Sequence, residues 1–300
     1  METMRDIKRR ISSIKNTQKI TRAMKMVAAA KLRKSQDKAE AARPFFSKTR
    51  ESLIGVARYT NEPTEHPLLK KRDGKRNLFI VINADRGLCG SYNIRVIDKA
   101  RELFKDGAEI SLMAVGRNAR DYFNKRGYNV ISEYIDLEDY PDYYFARMIG
   151  KEIISFFTGD MVDRVSLIYT HFHSAISQEV NELKLLPLEP PEEDNSYGSN
   201  TAEWRQREKS KQKKQVDYLY EPSPDEVFDA ILPQYITNIL YSALLEAKAS
   251  EFGARMTAMD AATDNAGELI EKLTLSYNRA RQAAITKEIT EIVGGAEALK

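Results

Sequence analysis

The sequence predicts an α/β domain with a Rossmann-like, mainly parallel sheet, inserted between two long terminal helices that pair as an antiparallel coiled coil. Three observations predict it. Residues 3–58 hold no glycine before Gly55 and a single proline, Pro44. Residues 225–293 hold no proline after Pro233 and repeat apolar or small residues at spacings of three and four. Between them, short β-rich runs alternate with helical patterns, as right-handed crossovers in a parallel sheet require. The chain therefore reads as an N-terminal helix over 1–60, an α/β domain over 75–190, a charged polar loop over 191–217 and a C-terminal helix over 218–300.

In the first helix, Ile7, Ile11 and Ile14 form one stripe, which the polar run Lys15 to Lys19 interrupts. Ile20, Met24 and Val27 resume it on another side of the axis, so this helix is expected to meet more than one surface. Ala28 to Ala30 permit a neighbouring helix to approach closely. In the middle, strands are expected at 78–82, 110–115, 129–134, 165–169 and 180–188, with helices at 93–104, 118–125 and 143–157. No helix separates the last two runs, which predicts an antiparallel edge strand.

The C-terminal helix is expected to start near Asp225, after Pro224, and to stop at Gly294-Gly295. Met259, Ala262, Ala266, Leu269, Leu273, Tyr277, Ala280 and Ala284 form a coiled-coil seam rich in small residues. About 65 residues at 1.5 Å rise make a rod of roughly 100 Å, longer than a domain of this size can cover.

Composition narrows the function classes. The 300 residues are 42% hydrophobic, enough for a core, and 30% charged, which suits long solvated helices. A lone cysteine, Cys89, excludes an internal disulfide framework. No apolar run approaches the 18 or so residues of a membrane span, and the charged start lacks the apolar segment of a signal peptide. A soluble, intracellular protein is expected. Charge is unevenly placed: residues 1–50 hold 15 Lys and Arg against 4 Asp and Glu, whereas residues 221–300 hold 7 against 13. The two ends can thus lie against one another as well as against an outside polyanion.

No constellation of residues points to an active site. The loop Asp85-Arg86-Gly87-Leu88-Cys89-Gly90-Ser91 follows the first strand, where α/β folds hold phosphates, but it is neither G-x-G-x-x-G nor a P-loop and carries no lysine. A tight turn or a partner contact fits it better. His171 and His173 share one strand face without a third ligand nearby, so a surface pair is expected and no metal. Glu192-Glu193-Asp194 lies in the polar loop. Trp204 with the basic cluster Arg205–Lys214 could stack on nucleic acid, yet reads more simply as a solvated loop. No cofactor and no nucleic acid are expected. An α/β enzyme with helical dimerisation arms and a coiled-coil scaffold remain as other readings.

Four segments together resemble one family. They are Ile11–Lys34 (ISSIKNTQKITRAMKMVAAAKLRK), DRGLCG at 85–90, Tyr218-Leu219-Tyr220-Glu221-Pro222, and Ser250–Leu299 with ARMTAMDAATDNA, LSYNRARQAAIT and TKEITEIVGGAEAL. In order and spacing they are similar to the gamma subunits of bacterial F-type ATP synthases, over nearly the whole chain. That resemblance implies a non-catalytic rotor shaft whose helix pair stands in a ring of alpha and beta subunits. It also implies epsilon and a membrane rotor ring of c subunits as partners, at the cytoplasmic face of a bacterial membrane. By position, Arg281, Gln282, Thr286 and Glu288, Met24 and Lys25, and Cys89 in the 85–90 loop are implied to contact beta. Tyr218, Tyr220 and Glu221 are implied to meet the rotor ring. The chain departs from the family at Ser91-Tyr92-Asn93, where many members have Gly-Leu-Asn, and over 191–214. The redox cysteine pair of chloroplast members is missing, and the lack of a transit peptide argues against an organelle precursor.

Overall fold

The computed structural model describes residues 3–57, 66–104, 108–188 and 221–297. In order these form α1 (Met4–Ala57), β1 (Arg76–Ile82), α2 (Tyr92–Leu103), β2 (Glu109–Val115), α3 (Arg117–Asn124), β3 (Asn129–Tyr134), α4 (Tyr143–Thr158), β4 (Arg164–Phe172), β5 (Gln178–Leu186) and α5 (Pro224–Glu297). Two compact units result. One holds Ala29–Ala254; the other holds the chain up to Ala28 together with the chain from Arg255 onward.

In the larger unit the sheet order is β3-β2-β1-β4-β5. The first four strands are parallel and β5 returns antiparallel beside β4, as the missing helix between them predicts. The central strand β1 is buried from Leu78 to Ile82, as expected for a strand covered on both faces. Alternation along it sends Leu78, Ile80 and Ile82 to one side, where they pack with Ile149, Ile153 and Phe157 of α4, Leu232, Ile236 and Leu240 of α5, and Leu53 of α1. Phe79 and Val81 face the other side, against Val96 and Ala100 of α2 and Phe123 of α3. Gly150 of α4 lets α5 come close, since a Cβ there would stand 3.2 Å from Thr237 Oγ1.

The starts of α4 and α5 are capped by side chains. Asp142 accepts from the Phe145 amide at 2.7 Å, and Ser223 accepts from the Glu226 amide at 3.3 Å. Ser223-Pro224-Asp225-Glu226 thus combines an N-cap with proline at the first helical position, where its missing N–H costs nothing. The other boundary differs from expectation: α5 continues through Gly294-Gly295 to Glu297. Glycine lowers helix propensity by about 1 kcal/mol but does not by itself force a stop.

In the smaller unit, α1 and α5 run antiparallel. Lys25 meets Asp260, Thr21 meets Thr263, and Gln18 lies against Gly267. Ile7, Thr21 and Ala28 are buried on α1, and Met259, Thr263 and Ala266 on α5. The stripe beginning at Ile7 is therefore not interrupted after Ile14; it passes through polar Gln18 and Thr21. Ile20 and Val27 point outward, at 60% and 54% exposure. Leu269, expected in the seam, is 43% exposed, while half-buried Ile270 and Leu273 flank it. At 3.6 residues per turn the seam drifts around the helix.

Candidate functional site

A doubly wound sheet offers its ligand crevice at the C-terminal strand ends, where successive crossovers leave in opposite directions. Here that point lies between β1 and β4, and the chain fills it with its own groups. Asp85 accepts hydrogen bonds from the amides of Arg117 (2.9 Å), Asp136 (3.2 Å) and Leu137 (2.7 Å). Its carboxylate thus occupies the N-terminus of α3, at the ends of β2 and β3 beside that point. Arg117 closes the same corner by pairing with Asp136.

Helix α5 occupies the rest of the crevice. Tyr92 donates its hydroxyl proton to the Ala247 carbonyl at 3.2 Å, and Ser250 donates to the Thr170 carbonyl at 3.3 Å. Ala254 completes a buried cluster with Ala84, Cys89 and Tyr92. Gly253 lets α5 come close here: an added Cβ would lie 3.0 Å from Gln178 Nε2 and 3.3 Å from the Ala175 Cα, tighter than ordinary contact. The sheet grips a helix where related folds grip a nucleotide.

Cys89, expected among the partner contacts, is 1% exposed within this chain; its sulfur lies 3.3 Å from Asn93 Nδ2. The loop turns at Leu88 (φ 61°) and Gly90 (φ 58°), which leaves Leu88 63% exposed.

His171 and His173 do share a face, with ring centroids 4.5 Å apart, but His171 is not a surface residue. It is buried, and its Nδ1 lies 2.5 Å from Glu246 Oε2 on α5. His173 pairs instead with Glu179 of β5, at 3.5 Å. The two imidazoles face different carboxylates, and no group of three ligating side chains converges among the described residues. Hydrogen bonding to Glu246 raises the His171 pKa above its ordinary 6.5, against the effect of burial; Glu179 adds to the rise and Arg43 of α1 opposes it. The folded state therefore holds the proton more tightly than the unfolded chain. The resulting stability is complete below about pH 6.5 and is lost as pH rises through the folded-state value. Glu246→Gln should lower stability by about 1–2 kcal/mol at pH 6, the range of a charge-assisted bond replaced by a neutral one, and by much less at pH 9. Urea denaturation of both proteins at the two pH values measures this; equal losses would exclude the ion pair as the cause.

In the smaller unit, Lys25 and Asp260 form a half-exposed pair at 2.5 Å, and Met24 beside it is half-buried. Beneath them lies a polar layer that periodicity alone did not reveal. Thr21 and Thr263 hydroxyls are 2.8 Å apart, Gln18 Nε2 donates to the Thr263 carbonyl at 3.3 Å, and Thr263 donates to the Met259 carbonyl at 2.7 Å. Farther along α5, Arg281, Gln282, Thr286 and Glu288 are all exposed. Glu221 is exposed as well; Tyr218, Tyr220 and the 191–217 loop lie outside the described residues. No described helix is long and apolar enough to cross a membrane.

The fold is thus a doubly wound domain that carries its own helix at the strand ends, in a chain whose two terminal helices pair with one another. Comparison with known proteins makes this particular. Residues 3–299 match the family model described as ATP synthase. The ATP synthase gamma chain of Halothermothrix orenii is 67% identical over 300 residues, all of both chains. That of Heliobacterium modesticaldum is 48% identical over 299 residues, again covering both. Among solved structures, a chain of the central stalk and c-ring of the Tetrahymena thermophila mitochondrial ATP synthase aligns at TM-score 0.58 and 26% identity, over 81% of this chain and 99% of that one. A chain from the Euglena gracilis mitochondrial enzyme shares the fold at TM-score 0.68 and 20% identity, over 99% and 94%. The chain belongs to the ATP synthase gamma chain family.

Proposed function

We infer that the chain is the central shaft of a proton- or sodium-translocating F-type ATP synthase, coupling rotation of the membrane ring to conformational change at the catalytic beta subunits. The observation that carries this is the end-to-end match to gamma chains, with no segment left over. The filled crevice supports it independently: chemistry belongs to other subunits, and this chain contributes shape and contact. Its partners are then alpha, beta, epsilon and the c ring. Its place is peripheral, on the cytoplasmic face of a bacterial membrane.

Physical properties of the smaller unit suit a shaft that turns against a bearing. Exposed charges such as Lys19, Arg22 and Arg279 form pairs worth about 0–1 kcal/mol each, weak enough to be made and broken in every turn. Arg281, Gln282, Thr286 and Glu288 are exposed and polar; in this reading they contact beta, and Met24 and Lys25 take the same role on α1. In the 85–90 loop, Arg86 and Leu88 are exposed, and in this reading the loop meets beta through them. Glu221, with Tyr218 and Tyr220, is assigned to the rotor ring.

Co-purification from native membranes tests the reading: alpha, beta, epsilon and c subunits should accompany the chain, and its recovery alone would refute it. A finer test is the double substitution Arg281→Ala/Gln282→Ala. Hydrogen bonds to charged groups contribute roughly 1.5–3 kcal/mol, so loss of contacts made mainly in the transition state should slow ATP turnover about tenfold or more while the complex still assembles. An unchanged rate in the assembled double variant would show that these side chains are ordinary surface.

A further inference from the structure

We propose that Gln18, Thr21 and Thr263 are positioning residues that lock the axial register of the helix pair. The seam around them is smooth. On α5, Thr263 is flanked by Ala262, Ala266 and Gly267, and small residues offer little steric resistance to sliding. A slip of one residue would turn the buried stripe by about 100° and expose it, so the competing states are displaced by a whole turn, roughly 5.4 Å. Coiled coils with uniform seams discriminate such states with one polar layer, because polar groups match in a single register only.

The ion pair beside this layer cannot supply the discrimination. After a one-turn slip, Lys25 leaves Asp260 and meets Asp264, another carboxylate on the same face of α5. The hydroxyls do discriminate. Each hydroxyl also lies within reach of a carbonyl of its own helix, Thr263 of Met259 at 2.7 Å and Thr21 of Gln18 at 3.1 Å, and one of the two supplies the proton of the 2.8 Å bond between them. Gln18 adds a bond to the Thr263 carbonyl, and the missing side chain of Gly267 gives it room, with a Cβ there only 3.2 Å from Gln18 Nε2. A one-turn slip breaks both interhelix bonds, and side chains bulkier than glycine then face Gln18.

In functional terms this lock sets how far the exposed residues near Arg281 stand along the pair from Lys25. That consequence rests on the shaft reading; the lock itself does not. Disulfide formation in the isolated full-length chain reads the register directly, using Lys25→Cys with Asp260→Cys for the native register and Lys25→Cys with Asp264→Cys for a one-turn slip. Chains with Cys89 alone report the background. With the native layer, the slipped pair should give little product. Thr21→Val/Thr263→Val keeps side-chain size and removes both hydroxyls, and should raise the slipped product at least tenfold. Thr21→Ser, which keeps the hydroxyl, should not. Gln18→Leu gives a second reading should the valine pair fail to fold, with a smaller rise. No rise in any of these overturns the lock. In the assembled complex, the valine pair should also lower ions pumped per ATP severalfold. A shifted register with normal pumping would remove the positioning role from coupling while leaving the shaft reading, tested by co-purification, untouched.

Discussion

Gly116→Ala should prevent the α/β unit from folding at physiological temperature. Gly116 has φ 108° and ψ 142°, a conformation nearly confined to glycine, which costs a side-chain-bearing residue about 1–3 kcal/mol. Worse, an added Cβ would stand 2.2 Å from the Asn83 carbonyl oxygen and 2.7 Å from its carbon. Neither partner can yield. The Gly116 amide is held by the Tyr134 carbonyl at 2.7 Å, and the Asn83 amide by the Val115 carbonyl at 2.7 Å. Relief therefore means parting β1 from β2 at the point where Asp85 also anchors α3. Total stabilities run to about 5–15 kcal/mol, and strain plus backbone displacement consumes most of that. Soluble expression with limited proteolysis gives the measurement: the variant should be degraded rapidly from within residues 76–186, and a protease-resistant fragment like that of the parent would contradict the account. Gly127 is the control. It too has positive φ, 75°, but nothing lies within 4 Å of an added Cβ, so alanine there bears only the backbone strain.

Much of this fold is legible in the sequence, because its strongest signals are local. Hydrophobic runs such as Leu78–Ile82 and the helical spacing of α4 report burial directly, and the absence of a helix between β4 and β5 dictates the antiparallel edge. What the sequence conceals are relations between distant positions. Asp85 looks like part of a vacant loop until the fold brings the amides of Arg117 and Leu137, 32 and 52 residues away, onto its carboxylate. His171 looks like half of a surface pair until Glu246, 75 residues on, arrives beside it. Burial of Cys89 likewise depends on α5, since Ala254 closes its pocket.

The helix pair shows the same limit in another form. A pattern search for apolar residues finds Ile7, Ile11 and Ile14 and then loses the stripe, because Gln18 and Thr21 are polar. Their partners, Thr263 and its carbonyl, lie across the seam on the other end of the chain. Buried hydroxyls are tolerated only when satisfied, and that satisfaction cannot be read from one helix. The exposed stripe of Ile20 and Val27 is the converse. Periodicity finds it correctly, but it faces outward, in keeping with a helix that has a second surface to serve.

Leu273→Pro should uncouple the motor, whereas Leu273→Ala should not. Helix α5 runs unbroken from Pro224 to Glu297, so torque entering near its start has a continuous path to Arg281 through the backbone around Leu273. Proline there removes the amide bonded to the Leu269 carbonyl, and its ring collides with that same carbonyl; the cost is about 3 kcal/mol or more, with a kink. Alanine keeps the backbone and removes a half-buried side chain, a cost of about 1–2 kcal/mol, below the range for fully buried leucines. The two substitutions thus separate the continuity of the helix from its packing. The proline complex should hydrolyse ATP while moving few ions, or fail to assemble; the alanine complex should pump with a normal ratio at a slightly lower melting temperature. Reconstituted vesicles allow ATP turnover and ion uptake to be recorded side by side. Equal ions per ATP in the proline variant and its parent would mean that torque does not pass through this turn of α5. A loss of coupling in the alanine variant as deep as in the proline one would instead place the stiffness in seam packing, with the continuous backbone secondary.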